Sequence, residues 1–178
     1  GHPCINIPGV DMSTGSLGQG VSAAVGMAIA GKLDNKDYTV YTLLGDGEIQ
    51  EGQVWEAALY APHNKMDNLI AIVDYNGAQI DGATADVLSL GDLKSKWEAF
   101  GWQVIEVFRG NHIPSILEGL HLAKSLSNQG KPTMILLHTE MGHGVDFMMG
   151  SHKWHGVSPN NDQLAEALAQ NPQTLGDY

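Results

Sequence analysis

Two apolar segments, each followed closely by a polar residue beside glycine, constrain the fold of this chain most. Residues 38–44 run towards Asp46, which has a glycine on either side, and residues 69–74 run towards Asn76. A helix-like segment lies between them, and one strand, one crossover helix and the next parallel strand occupy roughly 30 residues. The carboxyl ends of parallel strands share one edge of a sheet, where such folds bind ligands. We therefore expect Asp46 and Asn76 to lie together at that edge.

The residue types at these two positions favour a metal and diphosphate site. The Asp46 carboxylate and the Asn76 amide oxygen are hard ligands suited to Mg²⁺ or Ca²⁺. Gly45 and Gly47 let the backbone approach phosphates closely, and the helix that follows is expected to point its first N–H groups at them. The alternative is an Asp-Gly turn and an Asn-Gly turn without a ligand, which is the commoner reading of either dipeptide alone. Together at this spacing they favour the site.

These residues resemble the thiamine diphosphate motif, and the surrounding sequence resembles transketolase, most closely the N-terminal subunits of split transketolases. The motifs that carry the resemblance run in order through nearly the whole chain. They are Gly1-His2-Pro3, Pro8-Gly9-Val10, residues 14–20, Gly45-Asp46-Gly47, Gln50-Glu51-Gly52, residues 68–72, Asn76, residues 80–84, residues 99–102 and His155-Gly156.

The resemblance implies a role for each matching residue. It makes Asp46, Asn76 and the backbone carbonyl of Ala78 the metal ligands. Of the other cofactor contacts, Gly15 and Gly47 lie near the diphosphate, Leu17 lies against the thiazolium ring and Ile80 forces the bent shape of the cofactor. It makes His2 and His155 the catalytic histidines, with His155 also at the diphosphate end of the cofactor, and it places Glu51 at a subunit contact that links paired active sites.

The histidines also have simpler interpretations. A histidine near a chain terminus, such as His2, is usually just solvated. His152 and His155, with His143 nearby, could suggest zinc, but neither a second ligand pair nor a cysteine lies close in the sequence. The residue types alone therefore do not establish a role for any of them.

The order of elements predicts an α/β fold: a doubly wound, mostly parallel sheet with helices on both faces, which is the thiamine diphosphate-binding (PP) fold that the resemblance implies. The predicted strands are residues 38–44, 69–74, 102–107 and 133–138. The predicted helices are residues 17–33, 51–64, 90–100, 114–128 and 162–169. We expect Ser16 to cap the first helix and that helix to be buried on all sides. Residues 1–178 are expected to form a single domain, truncated at its N-terminus relative to the family.

Composition narrows the choice of partner and compartment. The net charge of −11 disfavours nucleic acid and anionic membranes as partners. No apolar run has the length of a membrane span and no secretory signal is visible. The single cysteine, Cys4, rules out an internal disulfide and suits a reducing cytoplasm.

The resemblance implies a transferase that passes a two-carbon ketol unit from a ketose phosphate to an aldose phosphate in the pentose phosphate pathway. Its cofactors would be thiamine diphosphate and Mg²⁺ (or Ca²⁺). The pyrimidine-binding domain that activates the cofactor in this family is expected from a separate C-terminal transketolase subunit. The assembly would then be a dimer or heterotetramer, and this chain alone would have no catalytic activity.

Two other functions stay open on the sequence. One is a related thiamine diphosphate enzyme, such as a sulfosugar transketolase or a protein like deoxyxylulose phosphate synthase. The other is a cofactor-binding or assembly module that keeps the fold but does not catalyse a reaction. Activity with a partner and a range of ketose donors would separate the three.

Overall fold

The computed structural model describes residues 2–171. Its strands are β1 (Val40–Gly45), β2 (Leu69–Tyr75), β3 (Ala78–Gln79), β4 (Gly82–Ala83), β5 (Gln103–Val107) and β6 (Thr133–His138). Its α-helices are α1 (Gln19–Leu33), α2 (Gly52–His63), α3 (Thr84–Leu88), α4 (Leu93–Phe100), α5 (Ile113–Ser125) and α6 (Asn161–Gln170). Short 3₁₀ helices occupy Glu48–Gln50 and His152–Trp154.

The main sheet has four parallel strands in the order β1-β2-β6-β5, which confirms the predicted α/β class. β2 is buried between β1 and β6. Its residues alternate between the two faces of the sheet. Strands β3 and β4 form a small antiparallel pair in the segment that follows β2.

Helices cover both faces of this sheet, as the doubly wound prediction requires. Helices α1, α2 and α4 pack on one face over the larger core, which includes Leu44, Leu69, Val73 and Met134. Helix α5 packs against β5 and β6 on the other face, over a smaller core. That smaller core consists of Ile70, Val107, Ala123 and Ile135.

Strand β1 lies at an edge of the sheet and is covered on one face. Its Val40 and Leu44 belong to the larger core, whereas Tyr41 and Leu43 on the opposite face are 47% and 67% exposed. The reason is that α5 packs over β5 and β6, towards the other edge of the sheet. Within residues 2–171, this face of β1 therefore has no covering layer.

Tryptophans fix the packing of α2 against α4. Trp97 is fully buried and stacks on Trp55 at a ring distance of 5.3 Å, while its other neighbour, Trp102, meets it edge-on at 5.1 Å. Trp102 Nε1 donates to the Ala58 carbonyl at 2.8 Å, so the buried indole N–H is satisfied. Trp55 packs against the core, although it is only half-buried.

The first helix differs from its prediction in two ways. It begins at Gln19, and its N-cap is Gly18 in the left-handed region (φ 78°), so Ser16 is not the cap. It is also not buried all round, because its buried residues, such as Val21 and Ala28, lie on one side. A Cβ built at Gly26 would meet nothing within 4 Å, so the opposite side is open.

The helix predicted at residues 90–100 is shorter in the structure. A separate five-residue helix, α3, precedes it, and α4 begins at Leu93. Asp92 sets this start, because its carboxylate accepts from the Ser95 backbone N–H at 3.0 Å and from the Ser95 hydroxyl at 2.6 Å. Of the helices formed by residues 2–171, none has the length and apolar character that crossing a membrane requires.

Candidate functional site

The ends of β1 and β2 bring the two predicted ligands to one edge. Gly45 pairs with Asp74 in the parallel register, and the backbone N–H of Asp46 donates to the Asp74 carbonyl at 3.2 Å. Asn76 follows two residues after Asp74. The predicted proximity of Asp46 and Asn76 is thus present in the structure.

Asp46 is a buried carboxylate held by three donors. Its side chain is 1% exposed; Oδ1 accepts from the Gly47 N–H at 2.8 Å, and Oδ2 accepts from the Gly77 N–H at 2.7 Å and the Thr84 hydroxyl at 3.2 Å. Burial raises the pKa of the Asp46 carboxyl, the hydrogen bonds from Gly77, Gly47 and Thr84 oppose this, and the Asp74 charge raises it further.

No ion pair neutralises Asp46 among residues 2–171. A buried charge is costly unless a counter-charge or a metal compensates it. Asp46 therefore suits a bound cation.

Asn76 completes an oxygen-rich group beside Asp46. Its Oδ1 accepts from the Ala78 N–H at 2.9 Å, and its Nδ2 donates to Asp74 Oδ2 at 3.1 Å. An amide oxygen has two lone pairs, so Oδ1 keeps one acceptor position. Gly77, which contacts Asp46, lies between Asn76 and Ala78 in the chain. Carboxylate, amide and carbonyl oxygens are the ligand types of Mg²⁺ and Ca²⁺, so these residues fit such an ion.

Gly47 is required by the packing of two loops. A Cβ at this position would lie 2.9 Å from the Gln79 Cβ, which is too close for any residue with a side chain. Gln50 supports Gln79 by donating to its Oε1 at 2.8 Å, and also donates to the Leu88 carbonyl at 2.8 Å. The sequence pattern predicts close approach of the Gly47 backbone to phosphate, which stays a prediction. The structure adds a second reason for glycine here, the close packing against Gln79.

The helix predicted at residues 51–64 is present as α2, and a short turn lies between it and Gly47. A 3₁₀ turn, Glu48–Gln50, comes first, and α2 begins at Gly52 with Glu51 as its N-cap. That the first N–H groups of α2 point at phosphates stays a prediction. Glu51 has an extended backbone (ψ 133°), so the turn and α2 are separate helical segments.

Glu48 joins the loop that precedes α1 to the end of β1, a role that the sequence pattern does not reveal. Its two carboxylate oxygens accept from the Gly45 N–H and the Gly18 N–H, each at 3.0 Å. The only sequence signal is a carboxylate two residues after Asp46. The contact brings the loop that carries Gly15 and Leu17 to the edge where Asp46 lies.

The structure groups some of the predicted residues and leaves others on the surface. A Cβ at Gly15 would lie 3.0 Å from the His2 ring, so these two residues are in contact. Leu17 and Ile80 are 55% and 65% exposed. Glu51 is exposed and lies beside Gly18, as expected of a residue available for a subunit contact, although the contact itself stays a prediction.

A cavity of about 540 Å³ opens between the ends of β2 and β6. Asn76 and His155 both line it, so the structure brings these two predicted cofactor residues to one space. The rest of its lining comes from both strand ends, from the segment after β5 and from the loop after β6. These residues are Asp74, Asn111, Thr139, Glu140, Met141, Gly142, His143, Val145 and Met148.

The zinc alternative gains nothing from the structure. Across residues 2–171, no three His, Cys, Asp or Glu side chains gather in a way that could hold a metal ion. His143 instead lies 3.4 Å from Glu140. The Asp46, Asn76 and Ala78 group is of another kind, since it would use one carboxylate, one amide and one backbone carbonyl.

Comparison with known proteins gives consistent matches. The sequence profile of the family described as transketolase, thiamine diphosphate binding domain, matches residues 1–174. The chain is 43% identical over 170 residues to a subunit of the apulose-4-phosphate transketolase of Phocaeicola vulgatus, covering 96% of this chain and 59% of the relative. It is 46% identical over 162 residues to the 6-deoxy-6-sulfo-D-fructose transketolase subunit SqwG of a Clostridium species, covering 91% of this chain and 58% of the relative.

The fold matches solved transketolases as well. The structure superposes on transketolase from Campylobacter jejuni with a TM-score of 0.86 and 35% identity, covering 96% of this chain and 27% of that one. The chain thus spans about three fifths of the length of the two curated relatives named above.

Proposed function

The chain belongs to the family of transketolase thiamine diphosphate-binding domains, and we propose that it is the cofactor-binding subunit of a split, Mg²⁺-dependent transketolase. The observation that carries this proposal is Asp46, a carboxylate that is 1% exposed and lies beside Asn76 at the ligand-binding edge of the sheet. A buried charge of this kind is retained where a cation compensates it.

The proposed site residues divide the work of holding the cofactor. Asp46, the Asn76 side chain and the Ala78 carbonyl hold the divalent ion, which neutralises the diphosphate. Thiamine diphosphate, when bound, supplies the nucleophilic carbon that breaks and remakes a carbon–carbon bond next to a carbonyl group. The exposed apolar side chains of Leu17 and Ile80 provide the surface on which the cofactor rings pack.

The proposed proton carriers are His2 and His155. Histidine titrates near neutral pH, so it can accept and return a proton at a sugar hydroxyl. His155 lines the cavity with Asn76, and His2 lies on Gly15, so the two histidines approach the site from different segments. Both side chains are exposed, which leaves them accessible to a substrate.

The proposed substrates are phosphorylated sugars, with a ketose donor and an aldose acceptor. A second candidate class is supported by one relative whose name specifies a sulfonated fructose, at 46% identity. Both classes carry an anionic group at the end of a ketose.

We further propose a pyrimidine-binding partner chain, because three relatives are named as single subunits of a transketolase. The apolar surface of Leu17 and Ile80, which is left open here, is consistent with a site that a partner completes. A cytoplasmic location, a dimeric or heterotetrameric assembly and a role in the pentose phosphate pathway stay predictions.

Thermal unfolding tests the cofactor site. The chain is measured with thiamine diphosphate, with Mg²⁺, with both and with neither. Binding at a hundred times the dissociation constant adds about 2.7 kcal/mol, which corresponds to a rise in Tm of about 5 to 10 °C for a chain of this size. The rise should need both ligands. If neither the chain alone nor the chain with a pyrimidine-binding partner shows it, the proposed function is wrong.

An activity assay then separates the substrate classes. The chain is mixed with a pyrimidine-binding transketolase partner and given ketose phosphates or a sulfonated ketose as donor, with an aldose phosphate as acceptor. Transfer from a ketose phosphate supports the leading proposal, and transfer from the sulfonated ketose alone supports the second. A complex that binds the cofactor but turns over neither donor would contradict both.

A further inference from the structure

Asn76 has two hydrogen-bonding partners that impose the same orientation on its amide. Its Nδ2 donates to Asp74 Oδ2 at 3.1 Å, and its Oδ1 accepts from the Ala78 N–H at 2.9 Å. An ionised carboxylate can only accept, and a backbone N–H can only donate. The two contacts therefore agree on which side of the amide is oxygen, and turning the amide over would break both.

Asp74 is itself held from the neighbouring strand. Thr139, the first residue after β6, donates its hydroxyl to Asp74 Oδ1, and its backbone N–H donates to the Tyr75 carbonyl at 3.3 Å. Each Asp74 oxygen thus accepts one side-chain hydrogen bond. The series Thr139, Asp74 and Asn76 runs across the ends of two paired strands and along the wall of the cavity that His155 also lines.

We propose that Asp74, held by Thr139, is a positioning residue that presents the Asn76 amide oxygen to the divalent ion. This inference rests on the proposed function, since it assigns a role around the same ion. Its basis is that an unheld amide can direct its NH₂ group at a cation, whereas the Asp74 carboxylate keeps that group on its own side. Partners that orient metal ligands commonly contribute about 10- to 100-fold to metal affinity.

A role through charge alone is the competing explanation, and Thr139 distinguishes the two. Asp74→Asn keeps the shape but replaces one of the two acceptor oxygens with an NH₂ group, so it disturbs the pairing with Thr139 and Asn76 and also removes a charge. Thr139→Val keeps the Asp74 charge and removes only the hydroxyl that holds it. Positioning predicts that both variants lose metal affinity, whereas a charge effect predicts a loss in Asp74→Asn alone.

The experiment measures thiamine diphosphate binding by calorimetry over a series of Mg²⁺ concentrations, using the full chain with its partner. For Asp74→Asn we expect the half-saturating Mg²⁺ concentration to rise about 10- to 100-fold. Thr139→Val should shift it in the same direction, and Thr139→Ser, which keeps the hydroxyl, should restore it. At saturating Mg²⁺ the affinity for thiamine diphosphate should return to that of the wild type.

Asp37→Asn is the matched control. It removes an exposed carboxylate just before the amino end of β1, whereas the proposed metal site lies at the carboxyl end of that strand. A wild-type Mg²⁺ requirement in Thr139→Val would overturn the proposal, as would a loss of cofactor affinity that Mg²⁺ does not recover. If Asp74→Asn fails to fold, the comparison of Thr139→Val with Thr139→Ser still tests the proposal. Failure of the wild-type complex to show any Mg²⁺-dependent binding is a separate result, which would contradict the proposed function itself.

Discussion

The carboxylate of Asp46 and the side chains of Leu17 and Ile80, which we propose as metal and cofactor contacts, differ sharply in burial and in hydrogen bonding. Asp46 is 1% exposed and receives three hydrogen bonds, whereas the two apolar side chains are 55% and 65% exposed. The polar end of the proposed site is thus already buried and hydrogen-bonded within this chain. The apolar end needs something else to cover it, which agrees with a site shared with a partner chain.

The largest effect is expected when the charge of Asp46, at the buried end of the proposed site, is removed. Asp46→Asn should abolish the stabilisation of about 2.7 kcal/mol that Mg²⁺ and thiamine diphosphate give together at a hundredfold excess over the dissociation constant. The reason is that a neutral amide replaces the only carboxylate proposed to bind the ion. Thermal unfolding with both ligands measures this. Asp81→Asn, at an exposed carboxylate in the following loop, should keep the full shift; equal loss in both variants would mean that Asp46 has no special role.

The hydroxyl of Thr84 tests how much the buried end depends on its donors. Thr84 is 3% exposed and donates to Asp46 Oδ2. Thr84→Val keeps the shape but removes that hydrogen bond, so the free energy of unfolding should fall by about 2 kcal/mol, as for other hydrogen bonds to charged groups. Urea unfolding measures it, and Thr84→Ser should recover most of the loss. An unchanged stability in Thr84→Val would show that Asp46 does not need this donor.

Two glycines on either side of the 3₁₀ turn compare tight and open packing. Gly47→Ala would place a Cβ 2.9 Å from the Gln79 Cβ, and such overpacking costs about 1 to 2 kcal/mol. Gly52→Ala meets nothing within 4 Å at the start of α2, so its stability should stay within about 0.5 kcal/mol of the wild type or rise. Urea unfolding of both variants measures the difference. A larger loss of unfolding free energy in Gly52→Ala than in Gly47→Ala would contradict tight packing at Gly47 and open space at Gly52.

The pH dependence of the metal-free chain should also reflect the buried end. Burial raises the pKa of Asp46, so the folded chain holds this proton more tightly than the unfolded chain does. The stability that it contributes is fully present below the ordinary carboxyl pKa and is lost as the pH rises through the raised value. The effect should be modest because three hydrogen bonds oppose it. Subtracting the unfolding free energies of Asp46→Asn from those of the wild type between about pH 3 and pH 7 isolates this slope, and a difference of opposite sign would contradict the assignment.

The smallest effect on stability is expected at the open end. Leu17→Ala and Ile80→Ala remove side chains that are mostly exposed, so each should change the free energy of unfolding by less than about 0.5 kcal/mol. Both should nevertheless weaken thiamine diphosphate binding in the complex with the partner. Leu33→Ala, at an exposed leucine at the end of α1, is the control that should leave binding unchanged. Wild-type cofactor affinity in Leu17→Ala and Ile80→Ala would show that this surface is not a cofactor contact.

The sequence predicts the sheet well because its strands carry a strong local signal. The strand predicted at residues 133–138 has those bounds in the structure, and the spacing of Asp46 and Asn76 correctly places them at one edge. Strand pairing then follows from the connections, since helical crossovers favour parallel neighbours. Local hydrophobicity is therefore enough for the class of fold, and the spacing of Asp46 and Asn76 is enough to bring these two residues to one edge.

The errors and omissions concern features that depend on contacts distant in sequence. Glu48 accepts from Gly18, which lies 30 residues away, and Thr139 holds Asp74 from 65 residues away. No local pattern indicates either contact. The predicted start of α1 is also wrong, because Ser16 is a good N-cap by type but the left-handed Gly18 lies where the chain turns. Periodicity describes a segment, whereas these features describe which segments meet.

The edge position of β1 has a mechanical consequence. This strand leads directly into Asp46, and it is paired on one side, with β2, while Tyr41 and Leu43 stand uncovered on one of its faces. Among the strands formed by residues 2–171, β1 has one neighbour in the sheet, whereas β2 has two. A layer that packed against Tyr41 and Leu43 would therefore press on the strand that leads into Asp46, the proposed metal ligand.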